Sequence, residues 1–364
     1  MVDKLFSEIK SVPECLQASH FPGLDGLRGI AILCVIFSHA LLDHGMNYFC
    51  YALGMIGVQT FFVISGFLIT TLLLKEKVSK GKVSLKNFYI RRFLRLAPVA
   101  YLFLFVVAVL TYIFKLDLSL ASYLSAALYV KNLPFAHGHD RLVGHFWTLA
   151  IEEQFYIIFP ILLIYRPNKY LVIILLLMLF IPILQYLGFN KIGVFYSNSL
   201  IHILTFIIIA LFGSGTFAIL SGSLLSLLMF KGILDLKKIN SNYWLSFVIF
   251  IIAAAIRYAT VYPIYFVDIG IVLFSFGIAY VILLSLKSSS FFNLILNNSL
   301  MIKIGVLSYS LYVWQALFTH YFIWEGWFKF SDSLWLNLPI LFLVAYISYN
   351  FYERTFLKLK AKFH

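Results

Sequence analysis

The sequence predicts an all-α, polytopic integral membrane protein, and three observations carry that expectation. Hydrophobic residues make up 62% of the 364 positions and charged residues only 12%, about half the charged share of an ordinary soluble domain. The apolar residues collect in runs about 20 long, the length that crosses a bilayer as a helix. The basic residues fall mostly on one side of those runs.

Taken in order, the chain opens on a short tail, 1–23, that carries Asp3, Glu8, Pro13 and Pro22 and no continuous apolar core. It reads as a cytosolic tail and not as a cleavable leader. About ten transmembrane helices follow, expected near 27–46, 52–74, 98–116, 148–166, 170–188, 200–222, 243–260, 262–286, 302–323 and 335–353. The sixth run continues through Gly213, Gly215 and Gly222 to Phe230, so one long helix, a broken helix or a helix with a re-entrant piece all fit it. The membrane domain spans 24–353, and a basic cytosolic tail, 354–364, closes the chain.

With the amino terminus inside, ten spans put 22 of the 28 Lys and Arg residues on the inner side, an N-in, C-in orientation. The net charge of +13 is then a topology signal, with attraction to anionic membrane lipid and not to nucleic acid. Cys15, Cys34 and Cys50 fall in a tail, inside a span and beyond it, which offers no disulfide framework. No inverted repeat relates the halves, which counts against a secondary transporter.

The first span, LDGLRGIAILCVIFSHA at 24–40, contains Arg28 and His39. Eleven residues at 100° each return to nearly the same face, about 16 Å further along the axis. Ionisable groups inside a membrane are expensive and mark a function or a specific partner. A snorkelling Arg and a hydrogen-bonded structural His give one account of the pair, and a reaction site gives the other. In the second span, Ser65-Gly66 suits close helix packing, and no G-x-S-x-G frame supports a nucleophilic Ser65.

The stretch 75–98 is the most basic. Most of its lysines are positive-inside residues, but Arg91, Arg92 and Arg95 crowd one helical turn before Pro98, with Arg92 and Arg95 on one face. Such arginines either anchor the third span or fork onto phosphates, which would here be cytosolic. The outer loop 117–144 holds His137, His139, Asp140 and Arg141, a string that can ligate a metal but reads as a solvated tip, so no metal is expected.

In GHFWTLAIEEQFYIIFP, 144–160, Trp147 and Tyr156 read as interface aromatics. Glu152 and Glu153 point about 100° apart, so at least one faces the interior. That carboxylate could orient a His, activate a hydroxyl or pair with an Arg of another span. Arg257, Tyr262, Pro263 and Asp268 are candidates for an acceptor site near the outer face, and lone His202 reads as structural. In GVLSYSLYVWQALFTH, 305–320, Ser308, Tyr309, Tyr312, Gln315 and His320 can hydrogen-bond between helices. Glu353 and Arg354 read as a local ion pair or an interfacial anchor.

These motifs, in this order, resemble acyltransferase family 3, the membrane O-acyltransferases of cell-surface and secreted glycans. The matches are LDGLRGIAIL with His39 ten residues beyond Arg28's neighbour, FFVISGFLI at 61–69, FYIRRFLRLAP at 88–98 and FWTLAIEEQFYIIFP at 146–160. GVLSYSLYVWQ and SYNFYERTF fit the closing motifs, so the resemblance covers essentially the whole chain. Residues 190–290 depart from the family's pattern, which leaves the acceptor open. Some relatives carry a further extracytoplasmic esterase-like domain, and the chain is expected to have none.

The resemblance implies a cell-membrane enzyme that uses cytosolic acyl-CoA, usually acetyl-CoA, to acylate a sugar hydroxyl of a glycan or lipid-linked saccharide. It implies His39 as catalytic base, Arg28 as the Arg of the same motif, Arg92 and Arg95 as the R-x-x-R pair, and Glu152 as the Glu of E-x-Q-F-Y. The CoA phosphates are expected against Arg91, Arg92, Arg95 and Arg28, and the thioester at the level of His39. Glu152 is expected to fix the imidazole tautomer or position the hydroxyl. The competing class is a proton-coupled transporter or lipid-linked glycan flippase with Arg28, His39 and Glu152 as a relay. Nothing in the sequence fixes the oligomeric state.

Overall fold

Every regular element is helical among the residues that the computed structural model describes, which are 5–42, 47–133, 141–190, 192–238, 243–261, 267–287, 295–320 and 333–363. Helix α1, Pro22–Leu42, starts on a proline, whose missing N–H costs nothing in the first turn. Helix α2, Asn47–Lys80, runs past the expected boundary at 74 because the Lys- and Glu-rich end still favours helix. It stops at Gly81, whose φ of +71° suits glycine. Ser84 then caps α3, Leu85–Phe114, accepting from the Asn87 N–H at 3.3 Å. The third helix thus begins well before the expected residue 98, Pro98 lies inside it, and the three arginines ride on its first turns.

Beyond α4, Leu120–Ala127, come α5, Phe146–Tyr165, and α6, Pro167–Phe189. The sixth apolar run is a broken helix. Its halves, α7, Ser199–Phe212, and α8, Ser214–Phe230, bend by 44° across Gly213. Helices α9, Tyr243–Val261, and α10, Val267–Ser285, follow. The ninth run is in pieces, α11, Ser299–Val306, α12, Ser308–Trp314, and α13, Ala316–Thr319, with breaks at Leu307 and Gln315. Helix α14, Leu334–Ile347, passes through a π-helical turn, Ser348–Glu353, into α15, Arg354–Lys360. Among the described residues, six helices are long and apolar enough to cross a membrane, or seven with the bent pair counted as one span.

Two apolar clusters form the interior. One gathers Phe67 of α2, Phe217 of α8 and Phe274 of α10. The other gathers Ile32 of α1, Phe103 of α3, Phe146 of α5 and Leu311 of α12. Val58 and Tyr309 pack against both and mark the seam between them. Helices α2 and α8 cross at glycines: a Cβ on Gly66 would stand 1.8 Å from the Ile219 carbonyl oxygen, and one on Gly222 1.9 Å from that of Val63. Hydroxyls tie the same crossing, Thr70 to Ser223 at 2.6 Å and Thr71 to Ser226 at 2.8 Å. The packing expected of Ser65-Gly66 is thus present.

The segment ahead of α1 and the segment after α15 pack against the facing ends of α2 and α3. Lys75 donates to the carbonyls of Gln17 and Ala18 at 3.2 and 2.8 Å. Arg91 donates to the Phe363 carbonyl at 2.6 Å and pairs with Glu76 at 2.7 Å. The Glu353–Arg354 expectation is corrected here. Glu353 is buried in the π-helical turn and accepts from Ser310 and Ser348, while Arg354 donates to Asn350 at 3.3 Å.

Candidate active site

Three cavities lie in series along α1 at the seam of the two clusters. The first, about 480 Å³, is walled by cations: Arg28, Lys80, Arg91, Arg92, Arg95 and Lys360. The second is narrow, about 90 Å³, and shares Arg28, Ser65, Arg92, Arg95 and Tyr156 with the first. The third, about 440 Å³, holds His39, His145 and His320 and shares Val58 and Tyr312 with the second. Because α1 is one unbroken helix from Arg28 to His39, the cationic and imidazole ends stand about 16 Å apart along it.

The cationic cavity is built by the α2–α3 turn. Arg91 is committed to Glu76 and to the chain's last turn. Arg28 pairs with Asp25, one helical turn earlier, at 3.1 Å. Arg92 lies over the rings of Phe88 and Tyr156, with centroid distances of 5.8 and 5.4 Å. The expected cluster of Arg28, Arg91, Arg92 and Arg95 is therefore one assembled wall. Tyr156, expected as an interface aromatic, is buried in that wall.

Glu152 lines the narrow cavity with Arg28, Arg92 and Arg95 and accepts from Ser65 Oγ at 2.7 Å. It is not among the residues lining the His39 cavity. The carboxylate thus shares a cavity with the arginines and is held by the Ser65 hydroxyl, and it does not line the cavity of the imidazole. Neighbouring Glu153 points elsewhere, with a buried Oε1 that has no hydrogen-bond partner among the described residues. Gln154, next along, exchanges amide hydrogen bonds with Asn132 at 2.9 Å in both directions, which fixes the segment after α4.

In the third cavity the rings of His39 and His320 meet edge to face, with centroids 5.9 Å apart. His145 Nε2 faces the Val313 carbonyl at 3.1 Å, which leaves Nδ1 as a bare acceptor, buried and without a partner among the described residues. Tyr312 OH donates to the His145 carbonyl at 2.8 Å and meets Thr148 Oγ1 at 2.6 Å. Trp147, expected at an interface, forms part of this wall, edge on to Phe62. Sequence reasoning missed His145, and it read Arg141 as part of a solvated tip and Tyr312, Gln315 and His320 as interhelical hydrogen-bonding groups where all four line this cavity; only the G-H-F-W spelling ahead of α5 could have pointed to His145.

Of the remaining candidates, Arg141 and Gln315 line the His39 cavity and Ser308 and Tyr309 the narrow one, while Arg257 and His202 line neither. Arg257 is fully buried and donates from Nε to Gln59 Oε1 at 3.0 Å, away from the His39 cavity. Tyr262 and Pro263 lie outside the described residues, as do His137, His139 and Asp140. His202 holds the Phe195 carbonyl at 3.0 Å and packs on Phe206, as a structural histidine does. Among the described residues no three His, Cys, Asp or Glu side chains gather as metal ligands.

An all-helical chain with several membrane-length helices, and a run of polar cavities buried between them, is a multi-pass membrane protein with an internal polar site. Residues 21–352 match the model of a family described as an acyltransferase domain, and the chain belongs to that family. It is similar to the Staphylococcus aureus (strain COL) protein named "Putative O-acetyltransferase SACOL0978", at 33% identity over 97% of this chain and 60% of that protein. It is also similar to "O-acetyltransferase OatA" of S. aureus (strain NCTC 8325 / PS 47), at 29% identity over 95% of this chain and 58% of that protein. The chain thus spans about 60% of the length of these curated relatives. No solved structure matches it.

Proposed function

We propose that the chain is a membrane O-acyltransferase that moves an acyl group, acetyl first among them, from acyl-CoA to a hydroxyl of a cell-surface or lipid-linked glycan. The observation that carries this reading is the serial arrangement of the cavities, with a cationic wall at one end and His39 about 16 Å along the same helix at the other. The donor's phosphates lie against Arg28, Arg91, Arg92 and Arg95. Its pantetheine arm passes the narrow cavity and brings the thioester to His39. His39 takes the proton of the acceptor hydroxyl as that oxygen attacks the thioester carbon. Glu152, facing the arginines, sets the charge of the passage and positions the arm through Ser65.

The same reading takes α1, α2, α3, α5, α6, the bent pair α7–α8, α9, α10, the broken α11–α13 and α14 as ten spans of a domain over 24–353. An even number of crossings is supported by the segments ahead of α1 and after α15, which both pack against the facing ends of α2 and α3. The basic residues place that end inside, at the cytoplasmic membrane.

The test is acetyl-CoA consumption and acetyl transfer to a cell-wall glycan extract by the purified full chain. His39→Ala is expected to abolish turnover while leaving acetyl-CoA binding in place. Arg92→Ala with Arg95→Ala is expected to weaken binding. A monodisperse wild-type protein that neither binds nor consumes acetyl-CoA or longer acyl-CoAs sinks this reading and turns attention to transport.

A further inference from the structure

Gln315 occupies the break between α12 and α13 and is 1% exposed. Its backbone is fixed on both sides, with its N–H given to the Leu311 carbonyl at 3.0 Å and its own carbonyl accepting from the N–H groups of Phe318 and Thr319 at 2.9 Å. Gln315 is one of the residues lining the His39 cavity, and its Oε1 and Nε2, both buried, have no hydrogen-bond partner among the described residues. A buried, unpaired amide is destabilising; the indole N–H of neighbouring Trp314 is also buried without a partner among the described residues, but Trp314 does not line the His39 cavity, as Gln315 does. A local rule broken on a rigid platform beside a reaction site points to a role in the reaction.

We infer that Gln315 Nε2 is the donor that stabilises the oxyanion of the acyl-transfer step. The inference rests on the acyl-transfer reading above and supplies its missing electrophilic group. When the acceptor hydroxyl attacks, its O–H bond breaks and the proton goes to His39. The new O–C bond forms, and the carbonyl π electrons move onto the thioester oxygen. That oxygen needs an N–H or O–H pointed at it. The free ring nitrogen of His145 is an acceptor and cannot serve. Tyr312 OH is engaged with the His145 carbonyl. Gln315 Nε2 supplies the donor, neutral and held by a fixed backbone. As the oxyanion collapses, the C–S bond breaks, and the coenzyme thiolate takes the proton back from His39.

The purified full chain is assayed with acetyl-CoA and glycan extract, as wild type, His39→Ala, Gln315→Met and Gln315→Glu. Methionine keeps the volume and removes the donor, whereas glutamate keeps the shape and, neutral when buried, replaces the N–H by an O–H. The expected result is a kcat lower by about 10²- to 10³-fold in Gln315→Met and a smaller loss in Gln315→Glu, with both KM values within threefold of wild type. Gln315→Met is further expected to melt at or above the wild-type temperature, because it removes an unpaired buried amide. A kcat that is unchanged, a KM for the glycan that rises at constant kcat, or a loss of activity that tracks a loss of thermal stability overturns the inference alone. A wild-type protein that does not consume acetyl-CoA overturns the acyl-transfer reading and this inference with it.

Discussion

Ser65 of α2 donates to Glu152 of α5 across 2.7 Å, and the pair closes one side of the narrow cavity that Arg28, Arg92 and Arg95 close on the other. A hydrogen bond to a carboxylate contributes about 1.5–3 kcal/mol. Ser65→Ala is therefore expected to lower kcat/KM by about ten- to a hundredfold. Glu152→Gln, which also removes the charge that offsets the arginines, is expected to cost more. Because the hydroxyl acts through the carboxylate, the double variant is expected to lie within about threefold of Glu152→Gln alone. Steady-state kinetics on the four proteins reads this directly, and independent, additive losses refute it.

Much of this arrangement was legible in the chain. The Arg28–His39 stripe needs only helical spacing, and α1 keeps it on one unbroken helix. The crowding of Arg91, Arg92 and Arg95 gave the cationic wall, since residues within one turn stay together wherever the helix goes. What could not be read is which distant segments meet. Glu152 bonds Ser65 and shares a cavity with the arginines because α5 packs against α2 and α3, whereas spacing alone left a His partner open. His145, just ahead of α5, and Gln315, at the break in the ninth run, come together in the His39 cavity from segments 170 residues apart. Helix ends were blurred for a local reason: the Lys-rich end of α2 and Ser84 ahead of α3 extend helix beyond the apolar stretch.

The glycine crossing of α2 and α8 sets the depth at which Ser65 sits. A Cβ at Gly66 would come within 1.8 Å of the Ile219 carbonyl oxygen, which is backbone and cannot turn aside. Gly66→Ala is expected to lose about 1–3 kcal/mol of stability through overpacking, seen as a lower melting temperature in detergent. Gly81→Ala, at the exposed turn after α2 where nothing lies within 4 Å of an added Cβ, meets only the strain of φ +71°. It is expected to leave the packing of the bundle, and hence acetyl-CoA binding, unchanged.

Val58 belongs to the walls of both the narrow and the histidine cavities. A larger apolar side chain there should obstruct the route between the cationic wall and His39 without touching the cationic wall, which Val58 does not line. Val58→Phe is expected to lower kcat at least tenfold while the dissociation constant for CoA stays within twofold, provided the protein remains monodisperse. Equal loss of binding and turnover would mean that donor and imidazole are not reached in series.

The arginines make the sharpest discrimination, because their proposed partner can be removed from the substrate instead of from the protein. If Arg92 and Arg95 hold the donor's phosphates, their replacement by Ala should raise KM for acetyl-CoA by about tenfold or more, with an effect that shrinks as salt rises. Arg92→Lys should recover only part of the loss: an ammonium keeps the charge but loses the planar fork and the stacking over Phe88 and Tyr156. S-acetylpantetheine carries the same thioester and arm with no phosphate. Wild type should use it poorly, and the double Ala variant should use it no worse than wild type, because the interaction removed from the protein is already missing from the substrate. If the double variant loses activity equally with both donors, the arginines act on the fold or on the reacting centre, and the cationic cavity does not bind the donor's phosphates.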